Sequence, residues 1–85
     1  MTKTPSTTLD REDLRRTVAG VLDVGTDSVS DESRLEDLGA DSLLALELVV
    51  VLERKYQVRF DETEMREITG FTAVHDLLAT KLGAV

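Results

Sequence analysis

The sequence predicts an all-α protein, a four-helix bundle with a long first loop and a short third helix. Three observations support this prediction. Apolar residues recur at helical spacing in several segments, and the segment 42–56 contains neither glycine nor proline. The one segment that alternates as a strand would, residues 58–60, has no second strand to pair with. The chain has 85 residues and no cysteine, so it can form one modest core but no disulfide framework or zinc–thiolate site.

The first helix follows a polar segment, residues 1–7, that contains the only proline. We expect a flexible tail there, a folded domain over residues 8–83 and a C-terminal end at residues 84–85. Thr8 or Asp10 can serve as the N-cap of this helix. Its apolar face consists of four residues spaced at i, i+4, i+7 and i+8, namely Leu14, Val18, Val21 and Leu22.

The first loop begins at Gly25, which we expect to end the first helix, and runs to Asp41. A connection of this length is unusual in a compact domain unless it is functional or locally folded. We predict a short turn of helix over residues 33–37. Three apolar residues should anchor the loop to the core, namely Val29, Leu35 and Leu38.

The second helix is predicted from Ser42 to Tyr56, with Asp41 as its N-cap and Ser42 at the first helical position. One stripe at helical spacing should face the core: Ala45, Leu48, Val49, Leu52 and Tyr56. A second apolar side carries Leu43, Leu46 and Val50. Either this helix is clamped between other helices, or its second side binds a partner.

The C-terminal third of the chain is predicted to contain two further helices. We expect a loop over residues 58–60 that buries Phe60, and a short third helix from Asp61 to Ile68 that buries Met65 and Ile68. Gly70 is expected to interrupt the helical pattern between the third and last helices, and Thr72 is the expected N-cap of the last helix. The apolar face of that helix consists of Val74, Leu77, Leu78 and Leu82.

Negative charge is concentrated in the middle of the chain. The net charge is −7, and residues 23–53 contain nine carboxylates and one basic residue, Arg34. Such a field repels nucleic acids and anionic membranes and attracts basic protein surfaces. The alternative is an acidic face that serves only solubility. The sequence has no signal peptide and no apolar run long enough to span a bilayer, so we expect a cytoplasmic protein.

No catalytic constellation accompanies Ser42. The only histidine, His75, lies in another predicted helix, and no Gly-x-Ser-x-Gly elbow surrounds the serine, so we expect that the chain is not an enzyme. The acidic loop over residues 23–36 lacks the spacing of an EF-hand, and we predict no metal site. An exposed serine of this kind is instead typical of a site of covalent modification.

The run around this serine is Leu38-Gly39-Ala40-Asp41-Ser42-Leu43, followed by Glu47-Leu48-Val49 and by Leu52-Glu53 before an aromatic residue. It resembles the acyl carrier protein family, and the resemblance extends from about Leu9 to Leu82. It implies that Ser42 receives 4′-phosphopantetheine from coenzyme A through a Mg²⁺-dependent phosphopantetheinyl transferase. Acyl intermediates would then be carried as thioesters on the terminal thiol of the arm.

The resemblance also implies two functional surfaces. The partner-binding residues would be Asp37, Asp41, Leu43, Leu46, Glu47, Val50 and Glu53, which would meet basic docking surfaces on the transferase and on acyl-loading enzymes, ketosynthases and other thioester-processing enzymes. The acyl chain would lie among Ala45, Leu48, Val49, Leu52, Ile68 and Val74. We expect a monomer that binds neither nucleic acid nor membrane.

Several residues depart from the pattern of the carriers of fatty acid synthesis. Arg54 and Lys55 stand where an acidic run usually continues, Asp61 replaces a common proline, and Leu44 occupies a position that is commonly polar. These departures favour a freestanding carrier of polyketide or related secondary metabolism. The alternatives are a carrier of fatty acid synthesis, a peptidyl or aminoacyl carrier, and an unmodified acidic helical module that binds a basic partner.

Overall fold

The computed structural model describes residues 9–83, which form four α-helices: α1, Arg11–Leu22; α2, Ser42–Tyr56; α3, Glu62–Glu67; and α4, Phe71–Leu82. The first loop contains two 3₁₀ turns, Thr26–Ser28 and Glu36–Leu38. The prediction of an all-α fold with a long first loop and a short third helix is confirmed. The expected tail at residues 1–7 and the C-terminal end at 84–85 lie outside the described residues. None of the helices within 9–83 is long and apolar enough to cross a bilayer.

Helix α1 is capped at both ends by aspartates. The Asp10 carboxylate accepts hydrogen bonds from the backbone N–H groups of Glu12 and Asp13. At the other end Asp23 adopts the left-handed conformation, with φ of 60°, and backbone N–H groups of the cap reach back to the last turn. The prediction that Gly25 ends this helix is therefore wrong, because Asp23 closes it first and Gly25 is already extended.

The core lies between α1, α2 and α4, and the first loop covers it. Its largest fully buried side chains are Phe71, Leu14, Leu48, Leu52 and Leu78. The predicted core stripe of α2 is confirmed at Leu48, Val49, Leu52 and Tyr56, while Ala45 is half-buried. Of the predicted loop anchors, Val29 and Leu35 are buried and Leu38 is partly buried.

The first loop is tied to the junction of α3 and α4 by backbone hydrogen bonds. The N–H of Leu35 donates to the carbonyl of Thr69, and the N–H of Phe71 donates to the carbonyl of Ser33, both at 3.0 Å. A Cβ atom at Gly70 would lie 2.8 Å from the carbonyl oxygen of Ser33, so this close approach requires glycine. Because residues 33–35 pair in this way, the helical turn forms at Glu36–Leu38 and the prediction over 33–37 is wrong at its start.

Arg15 holds the middle of the same loop against the bundle. Its guanidinium donates to the carbonyl oxygen of Val29 at 2.7 Å and to Oδ1 of Asp31 at 2.9 Å. It also lies over the ring of Phe71, 4.7 Å from the centroid. The hydrogen bond from Arg15 holds the pKa of Asp31 below its usual value. One side chain of α1 therefore joins the loop to the start of α4.

The short helix α3 depends on side-chain contacts at its N-terminus. Asp61 and Glu64 form a capping box, in which each side chain accepts the other's backbone N–H. Lys81 of α4 lies 2.8 Å from the Glu64 carboxylate, and this contact lowers the pKa of Glu64. Phe60 is buried in the preceding loop, as predicted.

Helix α4 begins two residues earlier than its expected cap implied. Its N-cap is Gly70, so the prediction that Thr72 caps this helix is wrong. The Thr72 hydroxyl instead donates to the carbonyl oxygen of Asp31 at 2.6 Å, which adds a second tie between α4 and the first loop.

Candidate functional site

Ser42 is exposed at the first position of α2, directly after a tight turn. The turn reverses at Gly39, whose φ of 92° is a backbone conformation that favours glycine. The Asp41 carboxylate then accepts the backbone N–H of Leu44 at 2.9 Å and caps the helix. The sequence prediction of Asp41 as N-cap and Ser42 as first helical residue is confirmed. The result is a rigid helix start with a serine hydroxyl in solvent.

Nothing within residues 9–83 activates this hydroxyl as a nucleophile. No side-chain base of the described residues hydrogen-bonds to Ser42, and His75 lies on α4 with its Nδ1 atom 3.3 Å from Asp76. In the same part of the chain no group of carboxylates and histidine is arranged to hold a metal ion.

An apolar groove runs from Ser42 between α2 and α3. It has a volume of about 400 Å³, and five apolar side chains line it: Ala45, Leu46, Val49, Met65 and Ile68. Exposed Glu62 and Arg66 lie at its rim. A second, more polar cleft of about 430 Å³ opens on the other side of Ser42 against the first loop. The serine therefore stands where two clefts meet.

The predicted acyl-chain residues divide into two groups. Ala45, Val49 and Ile68 line the groove between α2 and α3. Leu48, Leu52 and Val74 are fully buried in the core and line neither cleft at Ser42. Met65 lines the groove as well, although its helical spacing predicted only a core position in the third helix. Its place in the groove depends on how the six-residue helix α3 packs against α2, which local spacing does not reveal.

The second apolar side of α2 faces solvent. Leu43 is 71% exposed, Leu46 51% and Val50 40%, so α2 is not clamped between helices on this side. These three are large apolar side chains left exposed on one helix, and they flank exposed Glu47. Such a patch, mixed with charge, is typical of a surface that binds another protein.

The acidic residues predicted to surround this patch differ in their surroundings. Asp37, Asp41 and Glu47 are exposed, and Asp41 immediately precedes the serine at the start of α2. Glu53 is half-buried, and its carboxylate accepts the backbone N–H of Phe60 at 2.9 Å. The structure therefore gives Glu53 a role in holding the loop after α2, which its position in the sequence did not reveal.

Comparisons with known proteins show which family this chain resembles. A family model described as a phosphopantetheine attachment site matches residues 12–79. The polyketide-8 synthase acyl carrier protein 2 of Streptomyces avermitilis is 46% identical over 84 residues, which is 98% of this chain and 97% of that protein. The acyl carrier protein of Campylobacter curvus is 40% identical over 85% of this chain and 94% of its own length. The non-reducing polyketide synthase pks11 of Talaromyces marneffei is 29% identical over 78% of this chain, which is 3% of that synthase.

Proposed function

The chain belongs to the acyl carrier protein family, whose cofactor is 4′-phosphopantetheine, and from that premise we propose that Ser42 is the residue that carries the cofactor. We propose further that the thioester-bound intermediates are those of polyketide biosynthesis, as the name of the 46% identical Streptomyces relative suggests. The single observation that supports Ser42 most strongly is its exposed hydroxyl at the first position of α2. The cofactor supplies the thiol that a chain without cysteine lacks.

The surroundings of Ser42 suit a phosphodiester. Unpaired backbone N–H groups and the helix dipole favour a negative charge at the start of α2, by about 0.3–1 kcal/mol. The neighbouring carboxylate of Asp41 opposes this, but it is exposed and already accepts the N–H of Leu44, so water screens the repulsion. Both clefts at Ser42 are open to solvent along the helix, which leaves room for a flexible arm on either side.

The outer side of α2 is the proposed docking face, defined by Leu43, Leu46, Glu47 and Val50. Leu43 would enter an apolar pocket of a phosphopantetheinyl transferase or a ketosynthase, and the acidic residues would meet lysines and arginines around it. Exposed charge pairs contribute only about 0–1 kcal/mol each and are screened by salt. Binding should therefore be weak and salt-sensitive, which allows the carrier to leave each enzyme. Because loading needs coenzyme A and the transferase, we propose that the protein works in the cytoplasm, and we expect it to be a monomer.

The groove between α2 and α3 is the proposed resting place of an apolar acyl chain. Its volume of about 400 Å³ and its lining by Ala45, Val49 and Ile68 support this role. Acyl groups of increasing length, attached to the arm, should raise the melting temperature until the groove is filled. Ala45→Met narrows the groove beside Ser42 and should remove the dependence on length. A melting temperature that ignores acyl length in the parent protein would show that the cargo stays in solvent.

The proposal is tested by intact mass after incubation with coenzyme A, Mg²⁺ and a broad-specificity phosphopantetheinyl transferase. The parent protein should gain one phosphopantetheinyl group, and Ser42→Ala should gain none. Ser28→Ala, which removes an exposed serine of the first loop, is the matched control and should be modified like the parent. No mass gain in a parent protein that circular dichroism shows to be helical would contradict the proposal and leave an acidic helical binding module.

A further inference from the structure

Three consecutive charged residues close α2, and the structure gives each a different task. The Glu53 carboxylate is half-buried and holds the backbone N–H of Phe60. The Lys55 ammonium lies 2.7 Å from Oδ2 of Asp13 on α1. Only the residue between them, Arg54, belongs to the exposed surface. Two of the three charges therefore serve the fold, and one is directed away from it.

Arg54 continues the docking face. It follows Val50 by four residues, Glu47 by seven and Leu43 by eleven, which places all four side chains on one side of the helix. No ion pair found within residues 9–83 involves Arg54. Its guanidinium is thus available at the distal end of the face that carries the exposed apolar patch.

The docking face consequently has two poles. Asp41 and Glu47 make the end near Ser42 negative, while Arg54 makes the far end positive. At 1.5 Å per residue, Arg54 lies roughly 18 Å from Ser42 along the helix axis. A partner that is basic over the whole length of this helix would meet a like charge at its far end, which lowers affinity.

We infer that Arg54 is a specificity residue, which selects partner enzymes that present a carboxylate about 18 Å beyond the point where the Ser42 arm enters them. The inference rests on the proposed function of Ser42 and of the docking face. The inference is argued from charge complementarity, because Arg54 is the basic residue of this face that forms no ion pair within residues 9–83. It distinguishes this chain's partners from enzymes whose docking surface is basic throughout.

The test uses a broad-specificity phosphopantetheinyl transferase as the partner. Each lysine and arginine of its carrier-docking surface is changed singly to glutamate, and KM is measured at low salt for the parent chain, for Arg54→Glu and for Arg16→Glu. Arg16 is an exposed arginine of α1, so its reversal makes the same change in net charge away from the docking face. Circular dichroism and intact mass establish that each variant folds and is modified.

With the unaltered transferase, Arg54→Glu should lower KM about two- to fivefold, and Arg16→Glu should change it less. Among the transferase variants, one substitution to glutamate should lower KM for the parent chain and raise KM for Arg54→Glu. The effects of that substitution and of Arg54→Glu on KM should differ from independent effects by about two- to fivefold. Equal KM values for all three chains, or no transferase position that couples to Arg54, would overturn the inference. If the parent chain is not modified at all, it is the proposed function of Ser42 that fails.

The same face could pair with its own copy in an antiparallel arrangement, since each acidic end would then meet an arginine. Sedimentation at increasing concentration distinguishes this outcome. We expect a monomer for both the parent chain and Arg54→Glu. A dimer that dissociates when Arg54 is reversed would assign the arginine to self-association and overturn the selection of enzyme partners.

Discussion

Tyr56 offers a sharp test of the packing between α1 and α2. Tyr56 is 3% exposed, and its hydroxyl has no partner in good hydrogen-bonding geometry among residues 9–83, although the Asp13 carboxylate lies close enough to contribute to the shift in its pKa. Burial raises the pKa of Tyr56 to about 12, and the negative charge of nearby Asp13 adds to the shift. The substitution Tyr56→Phe keeps the buried ring and removes only the hydroxyl. It therefore isolates the effect of one buried polar group.

At neutral pH this substitution should stabilise the protein. A buried polar group without a partner costs about 1–3 kcal/mol, so we expect the free energy of unfolding to rise by about 1 kcal/mol in Tyr56→Phe. If the hydroxyl formed an ordinary hydrogen bond, Tyr56→Phe would instead lower the free energy of unfolding. A loss of more than about 1 kcal/mol in Tyr56→Phe would show that the hydroxyl donates a hydrogen bond to the Asp13 carboxylate, and would refute the reasoning.

At alkaline pH the advantage of Tyr56→Phe should grow. The phenol titrates near 10 in the unfolded chain and near 12 in the fold, so the unfolded state loses its proton first as the pH rises. The neutral phenol's contribution to stability is complete below pH 10 and is lost as the pH passes 12. A shift of this size corresponds to about 2–3 kcal/mol. Other groups titrate in the same range, but they are common to both proteins and cancel in the difference.

The assay is simple because Tyr56 is the only tyrosine and the chain has no tryptophan. Phenolate absorbance reports the pKa of this residue directly, and urea unfolding followed by circular dichroism at pH 7, 10 and 12 gives the stabilities. In Asp13→Asn the pKa of Tyr56 should fall, since one of its causes is removed. A phenol that titrates near 10 in the folded protein would contradict the burial on which this prediction rests.

Three further predictions concern packing and docking. Gly70→Ala should lower the free energy of unfolding by about 1–3 kcal/mol, because the new Cβ would lie 2.8 Å from the Ser33 carbonyl oxygen. Gly20→Ala is the control: its Cβ would enter open space on α1, so the substitution should raise the free energy of unfolding by about 0.5–1 kcal/mol. Urea denaturation that ranks the two variants in the opposite order would contradict this packing. Phe71→Ala should cost about 3–5 kcal/mol, and a melting temperature close to that of the parent would show that the ring is not central. Leu43→Ser should leave the melting temperature unchanged but raise KM for the transferase, whereas a loss of stability would place Leu43 in the core.

The sequence was sufficient where a local rule determines structure. Asp41 is a good N-cap before an uninterrupted helix, and this alone placed Ser42 at the start of α2. The spacing of Leu48 and Leu52 likewise predicted their burial, since a helix of known phase has only one side facing the bundle. The exposed side carrying Leu43 could be identified as a second apolar face, but whether it was covered depended on where the other helices lie.

The sequence was insufficient where two distant segments determine the outcome. Phe71 is fully buried beneath the Arg15 guanidinium, yet a phenylalanine after a glycine carries no periodic signal of its own. Threonine is a residue type that often caps a helix, but Thr72 lies within the first turn of α4. Its hydroxyl donates a hydrogen bond to the carbonyl oxygen of Asp31 in the first loop. Glu53 and Arg54 are adjacent charged residues that the sequence alone does not distinguish. The loop at Phe60 binds the Glu53 carboxylate through its backbone N–H, whereas Arg54 stays exposed.

The geometry of α2 bears on the proposed role of Arg54 in partner choice. The helix is held by fully buried Leu48 and Leu52, so its outer side is rigid and docking orders little of this chain. Burying an exposed leucine such as Leu43 contributes about 1.5–3 kcal/mol, and each rim charge about 0–1 kcal/mol. These gains are set against an association cost of about 4–15 kcal/mol, so we expect the net affinity of the proposed docking to be weak. When all partners bind weakly, the two- to fivefold effect of roughly 0.4–1 kcal/mol at Arg54 is comparable to the differences between them, and this is sufficient to favour one enzyme over another.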